Sequence, residues 1–560
     1  MVFEEILEAI VEKIASNSKF SKEQIRQSLS VYRDSNSDFL LFLNKVSSSP
    51  VVDAENLYNT LLEKKIPEIE NLACHDTHLS FNLNKKMFFK DILCSMHSRD
   101  IDFGKSNVGK RDTVVVDFSS PNIAKLFHVG HYRTTVLGNF IKNLMKNAGY
   151  NVVSLNYLGD WGKQFGLVLL GFEMFGSEDE LEKNALMHLF EVYVKINKEA
   201  ANDPAIHDNA RNIFREMEEF KNEKYMSLWR KFREMSINNF KRLYKQLNIE
   251  FDVYSGESFY YESAKEFASS TSIATTEEDG SKVIDCAEYG NALIQKSDGT
   301  TLYLTRDICS AIDRITTYNA KKLVYVVSCE QDLHFKQLFS CLEKLGYDRS
   351  MFEHVNYGSV KGMSTRGGTV HFLEDIIQTS SEAIKARLLV NEDMNSEDIE
   401  KTAKILAIST LLVADFSAKR IKGYAFDFEK RANCEKGSGA YLQYAHCRLH
   451  SIEKNNSSSM ADDLSSIDFS VIDVPEIHDL CYRLLWYERI LNLCLEDYEP
   501  SRLVLYLMDL AKTINNLITK FRVLGESEHI AKARLLMFSA CRTVIRNGLL
   551  VLGITPLNKM

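Results

Sequence analysis

The chain has 560 residues, of which 45% are hydrophobic and 26% are charged, and its formal net charge at pH 7 is -9. Because one hydrophobic core rarely serves so long a chain, we expect about two to four domains of a soluble globular protein. No stretch approaches the roughly eighteen uninterrupted apolar residues of a membrane-spanning helix, so a membrane protein is excluded.

The N-terminal residues repeat apolar side chains at helical spacing, but Glu4, Glu5, Glu8 and Glu12 fill the positions between them. A transit peptide is poor in acidic residues and a signal peptide has an apolar core, so we expect neither. The eleven cysteines include no CxxC pair and no Cys/His set at zinc spacing. We therefore expect reduced thiols, no structural zinc and a cytoplasmic protein.

Residues 1–105 contain helical patterns at both ends and no catalytic constellation. We interpret them as an N-terminal α/β accessory domain. The small and charged residues of 104–111 are the expected junction with the next domain.

The stretch 117–131 is the one around which the next part of the chain is organised. The β-branched run 113–116 before it predicts a strand, and apolar residues at helical spacing predict a helix that contains 136–145. A second predicted strand at 152–157 completes a parallel βαβ unit. The stretch is therefore a strand-to-helix turn, where ligands of parallel sheets bind and where helix N-termini favour phosphate.

The later patterns complete a sheet domain over 106–380. They predict insertions at about 167–247 and 258–300, a buried strand at 323–328, a helix at 332–345 and another strand at 354–360. Two βαβ halves around insertions indicate an α/β fold, a doubly wound Rossmann-like domain.

From residue 381 to 560 the periodicity is helical almost throughout, with amphipathic helices at 476–495, 502–521 and 530–548. We expect an all-helical C-terminal domain. From residue 501 onward nine basic residues stand against three acidic ones. This excess fits either a solvated helical face or a face that binds a polyanion.

The His128-Val-Gly-His131 motif carries the first chemistry. Imidazole N–H groups at a helix N-terminus can donate to the negative charge that develops on a phosphate under in-line attack, and Gly130 permits close approach of a nucleotide. Lys125 adds a positive charge. The motif alone is weak, because such histidines also occur as packed or surface residues, but its position at the turn favours nucleotidyl transfer.

Five ordered stretches together resemble the class I arginyl-tRNA synthetases, especially their eukaryotic cytosolic branch: 119–133, 156–166, 298–307, 362–366 and 439–448. The C-terminal residues 547–556 also look like the end of that family's helical domain, so the resemblance runs from about residue 110 to residue 560. It implies an arginine–tRNA ligase that forms arginyl-adenylate from ATP, with Mg²⁺ accompanying the ATP, and charges tRNA(Arg). It also implies an N-terminal domain that contacts tRNA and a C-terminal anticodon-binding domain; we expect a monomer.

The resemblance assigns roles to individual residues. The arginine contacts are Ser120, Asn122, His131, Glu257, Tyr303, Asp307 and Gln331. The catalytic residues are Lys125, His128, His131 and Arg366, and the ATP contacts are His128, Gly130, His131, Met363 and Ser364. Tyr441 and Tyr444 contact the anticodon loop, and no protein ligand for a metal is expected.

The arginine pocket makes chemical sense because a guanidinium, a planar fork of five donors, requires a carboxylate such as Asp307. Tyr303 and Asp307 are four residues apart at a predicted helix start, so they can face one ligand. The alternatives are that Tyr303 is a core aromatic residue and that Asp307 pairs with Arg306 or Arg314. For Tyr441 and Tyr444 the alternative is that both pack inside the helical bundle.

The second signature loop departs from the family pattern. Gly362 and Thr365 stand where the class-typical loop has lysines, and Gly367 replaces a further lysine of close relatives. In arginyl enzymes that lack the second lysine, the residue matched by Lys125 is thought to replace it. Lys361 and Arg366 remain as possible pyrophosphate contacts, and the choice between them stays open.

Two rival functions remain at this point. A small-molecule nucleotidyltransferase shares the HxGH motif but does not need the helical domain. A catalytically silent tRNA-binding relative is supported by the missing basic residues of the second loop.

Overall fold

The computed structural model describes residues 2–31, 37–125, 127, 129–361, 373–388, 395–425, 438–456 and 464–560. The helices of these ranges are α1 (Val2–Ser16), α2 (Lys22–Ser28), α3 (Pro50–Lys64), α4 (Lys85–Arg99), α5 (Val129–Asn147), α6 (Lys163–Phe175), α7 (Glu178–Lys183), α8 (Ala185–Ala200), α9 (Pro204–Glu218), α10 (Glu223–Gln246), α11 (Tyr261–Ser270), α12 (Tyr303–Tyr318), α13 (Asp332–Lys344), α14 (Leu373–Leu388), α15 (Ser396–Phe416), α16 (Gly439–Asn455), α17 (Pro475–Asp497), α18 (Pro500–Lys520) and α19 (Glu528–Val551). Within the described ranges, no helix is both long and apolar enough to cross a membrane.

The strands are β1 (Leu29–Val31), β2 (Phe39–Phe42), β3 (Ile69–His75), β4 (His78–Leu83), β5 (Thr113–Asp117), β6 (Asn151–Leu158), β7 (Val253–Gly256), β8 (Thr275–Thr276), β9 (Lys282–Asp285), β10 (Asn291–Gln295), β11 (Lys322–Tyr325), β12 (Phe352–His354), β13 (Val360–Lys361) and β14 (Tyr424–Ala425).

A five-stranded sheet with the order β12-β11-β5-β6-β7 lies at the centre of the α/β part. Its pairs are all parallel. Val114, Val115 and Val116 of β5 are buried, as expected for a strand covered on both faces of the sheet. The apolar face of α5 is buried in the same core from Val136 to Met145. The predicted doubly wound α/β architecture is therefore confirmed.

The strand predicted at 354–360 is interrupted in the structure. Regular pairing of β12 with β11 ends at His354, and the next strand, β13, begins only at Val360 and pairs with β14 outside the central sheet. Val355 and Tyr357 between them are buried, and Tyr357 forms an isolated parallel bridge with Ser328. The segment thus stays beside the continuation of β11, but it is a regular strand only at its two ends.

Insertions separate the strands of the central sheet. The helices α6 to α10 connect β6 to β7, and an antiparallel sheet of β8, β9 and β10 lies between α11 and α12. Although α10 is highly charged, its Trp229, Phe232, Phe240 and Tyr244 are buried against the rest of the α/β part. The insertion is thus part of the main core.

The N-terminal part contains an antiparallel sheet with the order β1-β2-β4-β3 together with α1 to α4, as the predicted α/β class requires. It packs on the C-terminal helices through charged contacts. Arg99 Nη1 lies 2.8 Å from Glu488 Oε1, and the Glu488 side chain is fully buried. Arg546 Nη2 lies 2.7 Å from Asp100 Oδ1.

The C-terminal part is helical from α14 onward, apart from the short strand β14. Helix α14 spans the expected boundary between residues 380 and 381 and packs along α15. The three-domain division therefore stays a prediction, with this boundary falling inside a continuous helix.

Candidate active site

The turn between β5 and α5 has an unusual backbone. Ser119, Ser120 and Ala124 have positive φ angles of 71°, 46° and 56°. Residues other than glycine adopt this left-handed region at a cost of about 1–3 kcal/mol each, so surrounding contacts must hold them there. Such strain is concentrated at functional sites.

Residues of α10 hold the strained turn. The Ser119 hydroxyl forms a hydrogen bond of 2.7 Å with the Tyr244 hydroxyl. The backbone N–H of Ala124 donates to Ser236 Oγ at 3.1 Å. The insertion thus fixes the conformation of the turn through two hydrogen bonds from α10.

Two candidate contacts for the amino-acid end of a substrate lie on this turn. The Ser120 hydroxyl donates to Asp117 Oδ1 at 2.8 Å and accepts from the Tyr157 backbone N–H at 3.1 Å. Asn122 forms a parallel bridge with Gly159. A Cβ atom at residue 159 would lie 1.9 Å from Asn122 Oδ1, so only glycine leaves this amide in its position.

A buried ion pair joins the turn to α12. Arg314 Nη1 lies 2.8 Å from Asp117 Oδ2, and both side chains are almost completely buried. The Arg314 guanidinium also lies over the Tyr157 ring at 4.9 Å and the Tyr325 ring at 5.5 Å. This contact fixes the carboxyl end of β5 relative to the helix that carries the candidate arginine-binding residues.

Those candidates occupy the first turn of α12 and the segment before α13. Helix α12 begins at Tyr303, with Asp307 one turn later, and the exposed Gln331 immediately precedes α13. Asp307 Oδ2 lies 2.8 Å from His334 Nε2 on α13. The Asp307–His334 contact therefore joins the N-terminal ends of α12 and α13.

The alternative partners for Asp307 are wrong, because Arg306 and Arg314 pair with other carboxylates. Arg306 Nη2 lies 3.2 Å from Glu257 Oε2, while Arg314 pairs with Asp117. The alternative of a core position for Tyr303 is also wrong, since its side chain is 54% exposed. Its ring lies 4.8 Å from the Arg306 guanidinium.

Glu257 lies in a desolvated position. Burial raises the pKa of its carboxyl to about 8, against the opposing effect of the Arg306 guanidinium. Its buried Oε2 atom lies 3.2 Å from Arg306 Nη2 as an ion pair, but it accepts no well-aligned hydrogen bond from a described residue. A buried carboxylate oxygen in this state is available to a ligand that brings a donor.

Asp160 explains how the segment after β7 holds Glu257 in place. Its fully buried carboxylate accepts from Arg233 Nε at 2.7 Å and from the Ser258 backbone N–H at 2.8 Å. A Cβ at Gly256 would lie 2.2 Å from this carboxylate. Asp160 is thus a structural anchor beside the pocket.

Tyr157 lies between the turn and the carboxylates. Burial, followed by the Asp307 and Glu257 carboxylates, raises the pKa of its hydroxyl well above the ordinary value. The Tyr157 hydroxyl has no hydrogen-bond partner among the described residues. Reasoning from sequence named Arg306 and Arg314 only as possible partners of Asp307, and it assigned no role to Tyr157, inside the stretch 156–166, or to His334, three residues after Gln331.

An open cleft of about 380 Å³ reaches this region from the insertion side. Tyr303 and Arg306 form one wall, Lys163 and Gln164 at the start of α6 form another, and α9 contributes Arg215. The cleft gives solvent and a flexible substrate access to the start of α12.

At the expected nucleotide end, Gly130 and His131 lie in the first turn of α5. The His131 ring packs on Phe127 with ring centroids 5.2 Å apart. The Lys125 ammonium lies 5.7 Å from the centroid of the Tyr193 ring on α8. The other residues expected here, His128, Met363, Ser364 and Arg366, and the Lys361 side chain lie outside the described residues.

Arg133 connects α5 to the segment that leads into residue 362. Its buried guanidinium donates to the carbonyl oxygens of Gly358 and Lys422 and lies 5.0 Å from the centroid of the Tyr424 ring. The residues that precede β13 and β14 are thereby held against the helix that carries His131.

The candidate tRNA contacts lie on α16. Tyr444 is 48% exposed, whereas Tyr441 is half-buried and its hydroxyl accepts from Asn515 Nδ2 at 3.2 Å. The alternative that both rings pack inside the bundle is therefore wrong for Tyr444.

Comparison with known proteins identifies the family of the chain. Residues 94–428 match the family model described as tRNA synthetases class I (R), catalytic domain, and residues 442–560 match the DALR anticodon binding domain. The chain is 52% identical to the arginine–tRNA ligase of Encephalitozoon cuniculi over 100% of both chains. The solved structure of the Thermus thermophilus arginyl-tRNA synthetase, at 19% identity, has the same fold with a TM-score of 0.80 over 99% of both chains.

Relatives from two compartments are similar to the chain. The cytoplasmic arginine–tRNA ligase of Saccharomyces cerevisiae is 37% identical over 88% of this chain and 84% of its own length. The mitochondrial one from the same organism is 34% identical over 93% of this chain and 86% of its own. Similarity alone thus leaves the compartment open, but the family is shown by the catalytic-domain match and the full-length relative: the chain belongs to the class I arginyl-tRNA synthetases.

Proposed function

We propose that the chain is an arginine–tRNA ligase that forms arginyl-adenylate from arginine and ATP and transfers the arginyl group to the 3′ end of tRNA(Arg). The observation that carries this proposal is the pair of carboxylates Glu257 and Asp307 beside the strained turn of Ser120 and Asn122. The carboxylates suit a guanidinium, and the turn suits the amino and carboxylate groups of an amino acid.

The arginine guanidinium binds between Asp307, Glu257 and Tyr303, with Gln331 at the edge. A carboxylate accepts the parallel N–H groups of a guanidinium, and a tyrosine ring attracts its positive face. Arg306 already places one guanidinium nitrogen 3.2 Å from Glu257 and lies 4.8 Å from the Tyr303 ring, so both groups suit the neighbourhood of a guanidinium.

The amino-acid end of arginine then lies near Ser120, Asn122 and His131 at the start of α5. Its carboxylate attacks the α-phosphorus of ATP, the bond to the bridging oxygen breaks, and pyrophosphate leaves. Imidazole donors at the helix N-terminus stabilise the charge that develops on the phosphate oxygens. His128 and His131 take this role, with Gly130, Met363 and Ser364 contacting ATP and with Lys125 and Arg366 beside the pyrophosphate.

The remaining expectations belong to the same proposal. Mg²⁺ enters with ATP, held mainly by phosphate oxygens, as is usual for this ion. Tyr441 and Tyr444 bind the anticodon loop, where unstacked bases pack on aromatic rings. The protein acts as a monomer in the cytoplasm.

Aminoacylation of total tRNA with each proteinogenic amino acid tests the proposal. We expect that only arginine is transferred. The charged tRNA should be tRNA(Arg), as its anticodons show. Charging with a different amino acid, and not with arginine, contradicts it. Binding of arginine and ATP without transfer to tRNA supports instead a silent relative or a small-molecule nucleotidyltransferase.

A further inference from the structure

A histidine with no role in the proposed mechanism contacts the candidate guanidinium-binding carboxylate. His334 lies in the first turn of α13, and its Nε2 atom is 2.8 Å from Asp307 Oδ2. The two side chains are only 24% and 22% exposed. The contact therefore lies at the edge of the pocket, where solvent screens it only partly.

The other charged groups near His334 have partners of their own. On its own helix, Asp332 accepts from Asn356 Nδ2 at 3.0 Å and lies 3.4 Å from His354 Nδ1 at the end of β12. The Phe335 ring packs edge-on against the His334 ring, with centroids 5.4 Å apart. Asp307 on α12 is thus the carboxylate available to His334.

The other carboxylates of the pocket have cationic partners. Asp117 pairs with Arg314, and Glu257 lies 3.2 Å from Arg306. Asp307 is then the carboxylate left to face one substrate guanidinium. A hydrogen bond donated by His334 Nε2 orients this carboxylate, whose remaining lone pairs can accept from the guanidinium.

We propose that His334 is a positioning residue for arginine recognition: its imidazole donates from Nε2 to Asp307 Oδ2 and fixes the carboxylate for the guanidinium. Each carboxylate oxygen has two lone pairs, so this contact leaves room for a guanidinium that binds both oxygens. Holding a binding group by a neighbouring hydrogen bond is a general way to reduce the cost of ordering it. The inference rests on the proposed arginine pocket.

The test compares His334→Ala with His334→Gln in steady-state aminoacylation. The alanine variant should raise KM for arginine about 10-fold or more, since hydrogen bonds to charged groups contribute about 1.5–3 kcal/mol, and should leave KM for ATP unchanged. Glutamine supplies an N–H donor at a similar reach and should restore most of the arginine KM. A merely structural role would lower kcat and stability without this split.

The pH dependence gives a second readout. A proton added to His334 in acid would place a second cation at Asp307, so lowering the pH should raise KM for arginine more in the wild type than in His334→Gln. His334→Gln cannot take up this proton and should lose that part of the rise. Glu257 is present in both the wild type and His334→Gln. The difference between their pH profiles of arginine KM therefore measures the effect of His334.

His478→Gln is the matched control, because His478 Nε2 lies 2.8 Å from Asp473 Oδ1 in the same kind of pair at the start of α17. It should leave the arginine KM and its pH profile unchanged. An unchanged arginine KM in His334→Ala, or identical pH profiles in wild type and His334→Gln, overturns the inference. If the alanine variant fails to fold, the glutamine profile decides. A wild-type protein that does not charge arginine overturns the proposed function instead.

Discussion

At the scale of single residues, burial moves the pKa of the Glu257 carboxyl close to neutral pH. The pKa of its carboxyl is raised to about 8 because the side chain is desolvated, and Arg306 offsets only part of this effect. A second guanidinium in the pocket would favour the charged carboxylate and lower this pKa. Arginine binding and loss of a proton from Glu257 are therefore coupled.

This coupling predicts proton release on arginine binding between about pH 6 and 8. Affinity should increase as pH rises toward the pKa of free Glu257 and level off above it, because the carboxyl is then already ionised. Calorimetric titration in buffers of different ionisation enthalpy measures the released protons. Glu257→Gln should abolish the release, and the same release in that variant would contradict the assignment.

At the scale of elements, the sequence predicts regular structure far better than the turn that carries the chemistry. The β-branched run of β5 and the apolar periodicity of α5 identify both elements, because each depends on local pattern. The left-handed conformations of Ser119 and Ala124 depend on Tyr244 and Ser236, which are 125 and 112 residues away in the chain. No local pattern contains that information.

The same limit applies to the candidate site. The motifs identify Asp307 and Glu257 as carboxylates for arginine, but they do not pair Asp307 with a residue of α13 or Glu257 with Arg306, which precedes Asp307 on α12. The interruption of the strand predicted at 354–360 has a related cause, since buried irregular chain and paired strand have similar apolar patterns. Tertiary contacts decide both questions.

The Asp117–Arg314 pair is the contact on which the junction of β5 and α12 most depends. Asp117→Asn keeps the shape but leaves a buried guanidinium without its counter-charge, and breaking such a pair costs about 3–5 kcal/mol. The urea midpoint of unfolding, followed by tryptophan fluorescence, should fall accordingly. Asp102→Asn removes the partner of an exposed pair with Lys105 and should change stability by less than about 1 kcal/mol. Equal effects in the two variants would contradict the account.

At the scale of the whole molecule, the N-terminal part and the C-terminal helices are held together by contacts far apart in sequence. Glu488 on α17 accepts from the backbone N–H of Phe3 at 3.1 Å and pairs with Arg99 on α4. These contacts join the N-terminal part of the chain to the C-terminal helices.

Glu488→Ala should therefore loosen this junction. The variant leaves the Phe3 N–H and the Arg99 guanidinium without their acceptor, at a cost of about 1–3 kcal/mol. The expected result is a lower thermal midpoint and faster proteolysis within residues 1–105. Glu496→Ala, which removes the partner of Arg489 in an exposed pair, is the control and should behave like the wild type. Unchanged proteolysis in Glu488→Ala would show that other contacts hold the junction.

The exposed ring of Tyr444 predicts a separate effect on tRNA. Stacking of an unpaired base on an aromatic ring contributes about 1–3 kcal/mol, so Tyr444→Ala should weaken tRNA binding by roughly 5- to 150-fold. Filter binding measures this loss, while arginine binding measured by calorimetry should stay unchanged. Tyr441→Phe removes only the hydroxyl that accepts from Asn515 and serves as the milder comparison. Wild-type tRNA affinity in Tyr444→Ala would remove this ring from the interface.

Arginine-dependent exchange of labelled pyrophosphate into ATP, measured with and without tRNA, tests the central claim most directly. The account predicts exchange that requires arginine and that no other amino acid supports. Exchange that is independent of arginine, or the absence of exchange when arginine, ATP, Mg²⁺ and tRNA are all present, would contradict it.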